Sequence, residues 1–200
     1  MGADKATVAF VGRPLIAHAI RILRDADLPV LIAGNRPDLQ NFAQTVDDLG
    51  SSRGPLGGIC GALEFTSVTT TVFVPVDLPL LPSGLIRLMR KIAHVADRAI
   101  VVPSVNGYVQ TFPAVLDRAM LPILKAELES GRGGCYSAFE VAARALGQQV
   151  HVVRTELLAQ TGQLQHPDGL PVARWFFNIN SSADLHRAHA FRNGKFAERG

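Results

Sequence analysis

The 200-residue sequence contains no basic run and no basic stretch interleaved with aromatics. Its 20 Lys and Arg against 17 Asp and Glu leave a formal charge of only +3, scattered along the chain. The electrostatic footprint of a nucleic-acid groove is therefore missing. There are two cysteines, Cys60 and Cys135, without C-x-x-C spacing. That excludes a disulfide scaffold and reads each as a small buried apolar residue. No apolar stretch approaches the roughly 20 residues of a membrane span. The opening Met1-Gly2-Ala3-Asp4-Lys5 lacks the apolar core of a secretory signal. The expected compartment is the cytoplasm, and neither nucleic acid nor membrane is an expected partner. No G-x-S-x-G elbow occurs. His186 and His189 stand three apart without a Cys, Asp or Glu at metal-ligand spacing. Neither covalent nucleophilic catalysis nor a zinc site is indicated.

What is present is a core. With 48% apolar and 18% charged residues, the chain forms one medium domain over residues 1–200. A sequence pI near 9.2 mildly favours anionic ligands, and a phosphorylated small molecule suits that balance better than a polymer does.

The pattern alternates strands and helices. Gly12-Arg13-Pro14 is a turn leading into the stripe Leu15, Ile16, Ala19, Ile20 and Leu23, with Pro14 in the first turn. A buried strand covers Leu28–Ala33 and ends at Gly34-Asn35. Residues 37–50 are irregular, with a helical turn and a brief strand before Asp47-Asp48. Gly54-Pro55-Leu56-Gly57-Gly58 is a loop feeding a helix over Ile59–Phe65. Thr70–Val76 is the strongest strand and ends at Asp77, after which Ser83 caps a helix. Arg98–Val102 is a further strand, Asn106-Gly107 a hairpin turn and Tyr108–Thr111 its return. Helical periodicity covers Val115–Leu128 and Ala138–Leu146. Gln149–Val153 and Trp175–Asn180 read as strands, the latter running into Ser181-Ser182, the cap of a last helix. The alternation predicts an α/β domain with a mainly parallel sheet and helices on both faces.

Ligands of open α/β sheets bind beyond the carboxyl ends of the strands. Gly34-Asn35, Asp77, Gln110-Thr111 and Asn178-Ile179-Asn180 fall there. Asp77 follows a β-branched run, so its carboxylate sits at a rim. It either holds Mg²⁺, which takes one or two carboxylates plus substrate phosphates, or caps the turn. The Gly54–Gly58 glycines admit close backbone approach ahead of a helix N-terminus that favours anions; an ordinary tight turn is the plain alternative. Gly131–Gly134 reads as a helix-ending turn. Lys5 is either a point charge for phosphate or a solvated partner of Asp4. Asn178 and Asn180 place two amides on one side of a strand, for binding or for capping.

Taken in order, these blocks resemble the molybdenum cofactor guanylyltransferases. Met1–Ala6 with Gly12–Ile16, Asn35-Arg36, an aspartate at 47–48, Gly54–Gly58, Pro75–Pro79 and Phe177–Ser181 match in sequence order. The last block, running on through Ala183-Asp184-Leu185, is the most distinctive. The resemblance implies a Rossmann-like three-layer nucleotidyltransferase fold. It implies transfer of GMP from GTP to the molybdopterin cofactor with Mg²⁺, and molybdopterin insertion proteins and molybdoenzymes as partners. Lys5 would neutralise the phosphates and Asp77 hold the metal. Asn35 and Asp48, or its neighbour Asp47, would hold the nucleoside. Gly54, Gly57 and Gly58 would make room for base and ribose, and Asn178 and Asn180 would complete the metal and pterin-phosphate side.

The family pattern opens with a buried strand and a Leu-Ala-Gly-Gly-x-x-x-Arg-Met-Gly loop, and this chain starts at the Met of that loop. The expectation is an N-terminally truncated domain with weak or absent guanylyl transfer. Two rivals stay open: cytidylyl or another nucleotidyl transfer on the same fold, and a non-catalytic cofactor-binding homologue.

Overall fold

Val11 and Gly12 take left-handed backbone angles, φ 47° and 73°, and fold a two-residue hairpin from β1 (Ala9–Phe10) and β2 (Arg13–Pro14). In the computed structural model, residues 4–50, 54–131 and 134–192 are described. The expectations resting on Met1-Gly2-Ala3 and on Arg132-Gly133 lie outside them.

Helix α1 (Leu15–Arg24) follows the hairpin and buries Leu15, Ile16, His18, Ala19, Ile20 and Ile22. Strand β3 (Leu31–Ala33) pairs in parallel with β4 (Gln44–Val46). β3 is shorter than the expected Leu28–Ala33 because its partner offers only three residues. Helix α2 (Pro55–Phe65) begins earlier than expected, so Gly57 and Gly58 are helical rather than loop residues. Pro55 sets the first turn, where its missing N–H costs nothing. Strand β5 (Thr70–Phe73) stops short of Val76, since the strand beside it begins at Ala114, opposite Phe73. Helix α3 (Ser83–Val95) starts at Ser83 itself; Pro82 holds the capping position and no side chain caps the helix.

Strand β6 (Ile100–Val105) and β7 (Tyr108–Val109) flank the Asn106-Gly107 turn. The helical reading of Val115–Leu128 is corrected at its start. Ala114–Asp117 is strand β8, and helix α4 (Leu121–Ser130) begins only where Pro122 occupies the first turn. β8 sends Val115 to one core and Ala114 and Leu116 to the other. That is the alternation of a central strand, which the short apolar run concealed. Helix α5 (Cys135–Ala145), strand β9 (His151–Arg154), helix α6 (Thr155–Gln160), the turn α7 (Val172–Trp175) and helix α8 (Ser182–Arg192) complete the chain. Trp175–Asn180 is not a strand. Trp175 and Phe176 are both buried, side by side in sequence, which a pleated strand with two opposite faces cannot arrange. The Trp175 indole instead donates to the Leu170 carbonyl at 2.7 Å.

The larger sheet runs β5-β8-β6-β7, with β9 on β6. β5, β6 and β9 point one way and β8 runs against them, so the sheet is mixed rather than mainly parallel. β6 faces two cores: Val101 and Val105 pack with α1, α3 and α8, while Ile100 and Val102 pack with α2, α4 and α5. This three-layer arrangement is the expected α/β fold class. A third, smaller cluster of Ala6, Ile16, Ile20, Ile32 and Leu39 joins the amino-terminal turn to β3. No helix among the described residues is long and apolar enough to cross a membrane.

Candidate active site

The ends of β3 and β5 open onto one cavity of about 640 Å³. Its lining includes Ala33, Gly34, Asp48, Gly54, Gly58, Phe73, Asp77, Gln110, Thr111 and Asn178. Residues drawn from most of the chain thus meet where strand ends leave a crevice.

On one wall, Asp48 follows β4 and lies against the start of α2. A Cβ on Gly58 would stand 2.9 Å from Asp48 Oδ1 and 3.3 Å from the Ala33 Cβ, so only glycine lets the carboxylate and β3 lie this near the helix. Gly54 holds φ 71° ahead of Pro55, a left-handed conformation for which glycine is the natural residue. Gly57 does not line the cavity; its added Cβ would meet the Leu49 carbonyl at 3.0 Å, a packing contact. Of the two candidate aspartates, Asp48 faces the cavity and Asp47 is exposed outside it. Burial, with the neighbouring Asp47 charge adding to it, pushes the Asp48 carboxyl above its ordinary value. Asn35 is exposed beside Gly34, off the cavity lining.

The opposite wall is built by one backbone bond. Ile179 N–H donates to the Asp77 carbonyl at 3.0 Å, and the Ile179 side chain is fully buried. That anchor fixes its two exposed neighbours against Asp77. Asn178 lines the cavity, and Asn180 Oδ1 accepts from Lys5 Nζ at 2.5 Å. The same ammonium stands 3.5 Å from Asp77 Oδ2. Asn178 thus shares the cavity with Asp77, and Asn180 is joined to Asp77 through Lys5, although the segment carrying the two amides is not a strand. Ser181 caps α8: its Oγ accepts from Asp184 N–H, and the Asp184 carboxylate accepts from Asn180 N–H and Ser181 Oγ–H. This reciprocal cap holds the segment in place.

The candidate metal ligands are all oxygens: the Asp77 carboxylate and the amide carbonyls of Asn178 and Asn180. Among the described residues no three His, Cys, Asp or Glu side chains gather. Hard oxygen donors in small number, open toward a cavity, suit a magnesium ion that keeps water and phosphate ligands. They do not suit a closed zinc site.

Gln110, Thr111 and Phe112 also line the cavity. The strand-end rule marks Gln110-Thr111 as rim residues, but no motif singles them out. Phe112 carries no polar group to betray it.

Comparison with known proteins adds a common theme. Residues 1–168 match the MobA-like NTP transferase domain. The chain is 41% identical over 88 residues to the molybdenum cofactor guanylyltransferase of Xanthomonas euvesicatoria pv. vesicatoria (strain 85-10), a match covering 43% of this chain and 44% of that one. It is 32% identical over 135 residues to the enzyme of the same name from Pseudomonas entomophila (strain L48), covering 65% of this chain and 70% of that one. Among solved structures, the molybdopterin-guanine dinucleotide biosynthesis protein A of Archaeoglobus fulgidus superposes with a TM-score of 0.75 at 18% identity, over 96% of this chain and 92% of that one. The 2-C-methyl-D-erythritol 4-phosphate cytidylyltransferase of Thermus thermophilus superposes at 0.68 with 21% identity, over 96% and 95%. At these identities the structural likenesses establish the fold alone.

Proposed function

Because the chain belongs to the MobA-like NTP transferase family, we propose that it transfers GMP from GTP to the phosphate of the molybdopterin cofactor, releasing pyrophosphate. The observation that supports this reading is a cavity lined by Asp77 and Asn178 on one side and by Asp48, Gly54 and Gly58 on the other, with Lys5 joining Asp77 to Asn180 beside it. Its relatives of 41% and 32% identity bear the name molybdenum cofactor guanylyltransferase; the cytidylyltransferase likeness is one of fold.

The chemistry brings two anions together. The Asp48 wall, with room left by Gly54 and Gly58, receives the nucleoside, and Asn35 contributes from the rim. Lys5 is the cation beside Asp77 that meets the incoming phosphates, where its positive charge offsets the charge gathering on the α-phosphate. Asp77, with Asn178 and Asn180, would hold Mg²⁺, which when bound supplies electrostatic stabilisation of phosphate oxygens. The protein's remaining contribution is orientation, holding attacking and leaving oxygens in line. Insertion proteins and molybdoenzymes would receive the product in the cytoplasm.

The test is conversion of molybdopterin cofactor to its guanine dinucleotide with Mg²⁺ and GTP, compared with CTP and with Asp77→Asn. Asp77→Asn is expected to lower turnover at least about 100-fold, the scale of removing one electrostatic stabiliser. Equal use of CTP, or full activity of Asp77→Asn, would overturn the assignment.

A further inference from the structure

Lys5 has little local structure to hold it. It begins a single 3-10 turn, Lys5–Thr7, and its side chain is 43% exposed, yet its ammonium stands between Asp77 and Asn180. A long, rotamer-rich side chain on such a short turn would ordinarily wander.

The residue before it is tied down. Asp4 Oδ1 accepts from the Ala6 N–H at 3.3 Å, capping the turn. Both Asp4 oxygens also accept from the Arg36 guanidinium, Nη1 donating to Oδ1 at 3.0 Å and Nη2 to Oδ2. The other edge of the same guanidinium, Nε and Nη2, donates to Asp38 at 2.9 and 2.6 Å. Arg36 is itself fixed just after β3 by its N–H to the Gly34 carbonyl at 2.8 Å. A planar fork gripped on two edges is the geometry arginine provides and lysine does not.

The connections form a path across the cleft. Arg36 belongs to the β3–β4 side, and Asp4 couples it to Lys5. Lys5 in turn reaches Asp77 and Asn180 on the side of the larger sheet. With both edges of its guanidinium taken by carboxylates, Arg36 is committed to this clamp rather than offered to a phosphate.

We infer that Arg36 is a positioning residue which, through Asp4, sets the place of the Lys5 ammonium in the cleft. The inference rests on the guanylyltransferase reading for its consequence, because a misplaced Lys5 weakens nucleotide binding. It rests on geometry alone for the placement itself.

Two measurements on the full chain separate these parts. The first is the rate of Lys5 acetylation by a small acylating reagent, followed by mass spectrometry with the exposed Lys91 as internal reference. In Arg36→Ala and Asp4→Asn, Lys5 is expected to react several-fold faster relative to Lys91. Arg36→Lys, which keeps the charge and loses the fork, is expected to behave like Arg36→Ala. Unchanged Lys5 reactivity in all three variants, or a wild-type rate in Arg36→Lys, would overturn the clamp. The second is the Kd for Mg·GTP. Arg36→Ala is expected to weaken it about tenfold, the scale of one charge-assisted hydrogen bond. In a Lys5→Ala background the same change is expected to add nothing, because the residue acts through Lys5. Additive losses would show that Arg36 meets the nucleotide independently and would sink the proposal. A wild-type protein that binds no GTP refutes the guanylyltransferase reading instead, and the acetylation rates then judge the clamp.

Discussion

Replacing Gly61 with alanine sets two effects of opposite sign against each other. In an exposed helix, Gly→Ala stabilises by about 1 kcal/mol, since alanine loses less backbone freedom on folding. Gly61 lies within α2 on the side packed against residues 47–49, where an added Cβ would stand 2.2 Å from the Asp47 carbonyl oxygen, 3.3 Å from its carbon and 3.5 Å from Leu49 N. Backbone atoms cannot rotate away as a side chain can. Relief requires the helix and the Asp47–Leu49 segment to part by roughly 1 Å, judged from ordinary contact distances. That movement strains the Leu49 N–H bond to the Gly57 carbonyl, 3.1 Å long. Overpacking costs about 1–3 kcal/mol, and a clash with backbone falls at the upper end, so it outweighs the helical gain by about 2 kcal/mol. For a chain of this size the midpoint of thermal unfolding falls by about 4–8 °C. Circular dichroism melts of Gly61→Ala beside the wild type measure it. The same displacement shifts Asp48, so nucleotide affinity falls although Gly61 touches no ligand. A variant as stable as the wild type, or more so, would show that α2 does not press on this segment as closely as stated.

Three further outcomes follow from buried groups. Asp48→Asn removes a carboxylate whose burial raises its proton affinity. A raised carboxyl destabilises the fold at pH values above its folded pKa, so this variant is expected to melt higher than wild type near pH 7 while binding GTP more weakly; a lower melting point would contradict the burial argument. His18 is 2% exposed, its Nε2 donates to the Phe10 carbonyl at 2.7 Å, and its Nδ1 has no partner among the described residues. Desolvation, reinforced by Arg21, Arg192 and Arg13, holds it below the ordinary 6.5. With a depressed histidine the unfolded chain takes up the proton first as pH falls, so stability is lost from 6.5 down to the folded pKa. His18→Gln is expected to flatten the slope of denaturation midpoint against pH over that window, and an unchanged slope would rule out His18 as its source. Cys60 is fully buried, with its thiol pushed up to about 11 by desolvation. It is expected to resist iodoacetamide in the native protein and to label only on unfolding, and native labelling at a free-thiol rate would be inconsistent with the packing around α2.

The fold was legible where one physical rule acted alone. Helix α1 has an apolar stripe with a proline before it, and Asn106-Gly107 has the turn residues of a tight hairpin. Boundaries failed where two rules competed. Val115 and Leu116 have a strand's apolar character, but no glycine or proline stands between them and Leu121, so the helical period swallowed β8. Gly57 and Gly58 are poor helix formers, which argued for a loop; close packing against Asp48 and Leu49 overrides propensity. Parallel against antiparallel pairing was not legible either. Strand direction depends on where the chain returns, and β8 lies between β5 and β6 although it follows both.

The candidate site divides along the same line. Residue types that announce their chemistry were legible: a carboxylate at a strand end, glycines where a chain must approach closely, a lysine near a predicted phosphate. What joins them was not. Asn178 and Asn180 read as two amides on one face of a strand, but what brings their segment to Asp77 is a buried Ile179 whose N–H meets the Asp77 carbonyl. Nothing in the period of the sequence records that single long-range bond. Arg36 is the sharper case. In the sequence it is only the second half of the matching Asn35-Arg36 block, with no role of its own, and only the fold reveals that its fork is taken by Asp4 and Asp38. A one-dimensional motif ranks residues by the chemistry they bear. Position in the fold decides whether that chemistry faces the ligand or, as with Arg36, aims another residue at it.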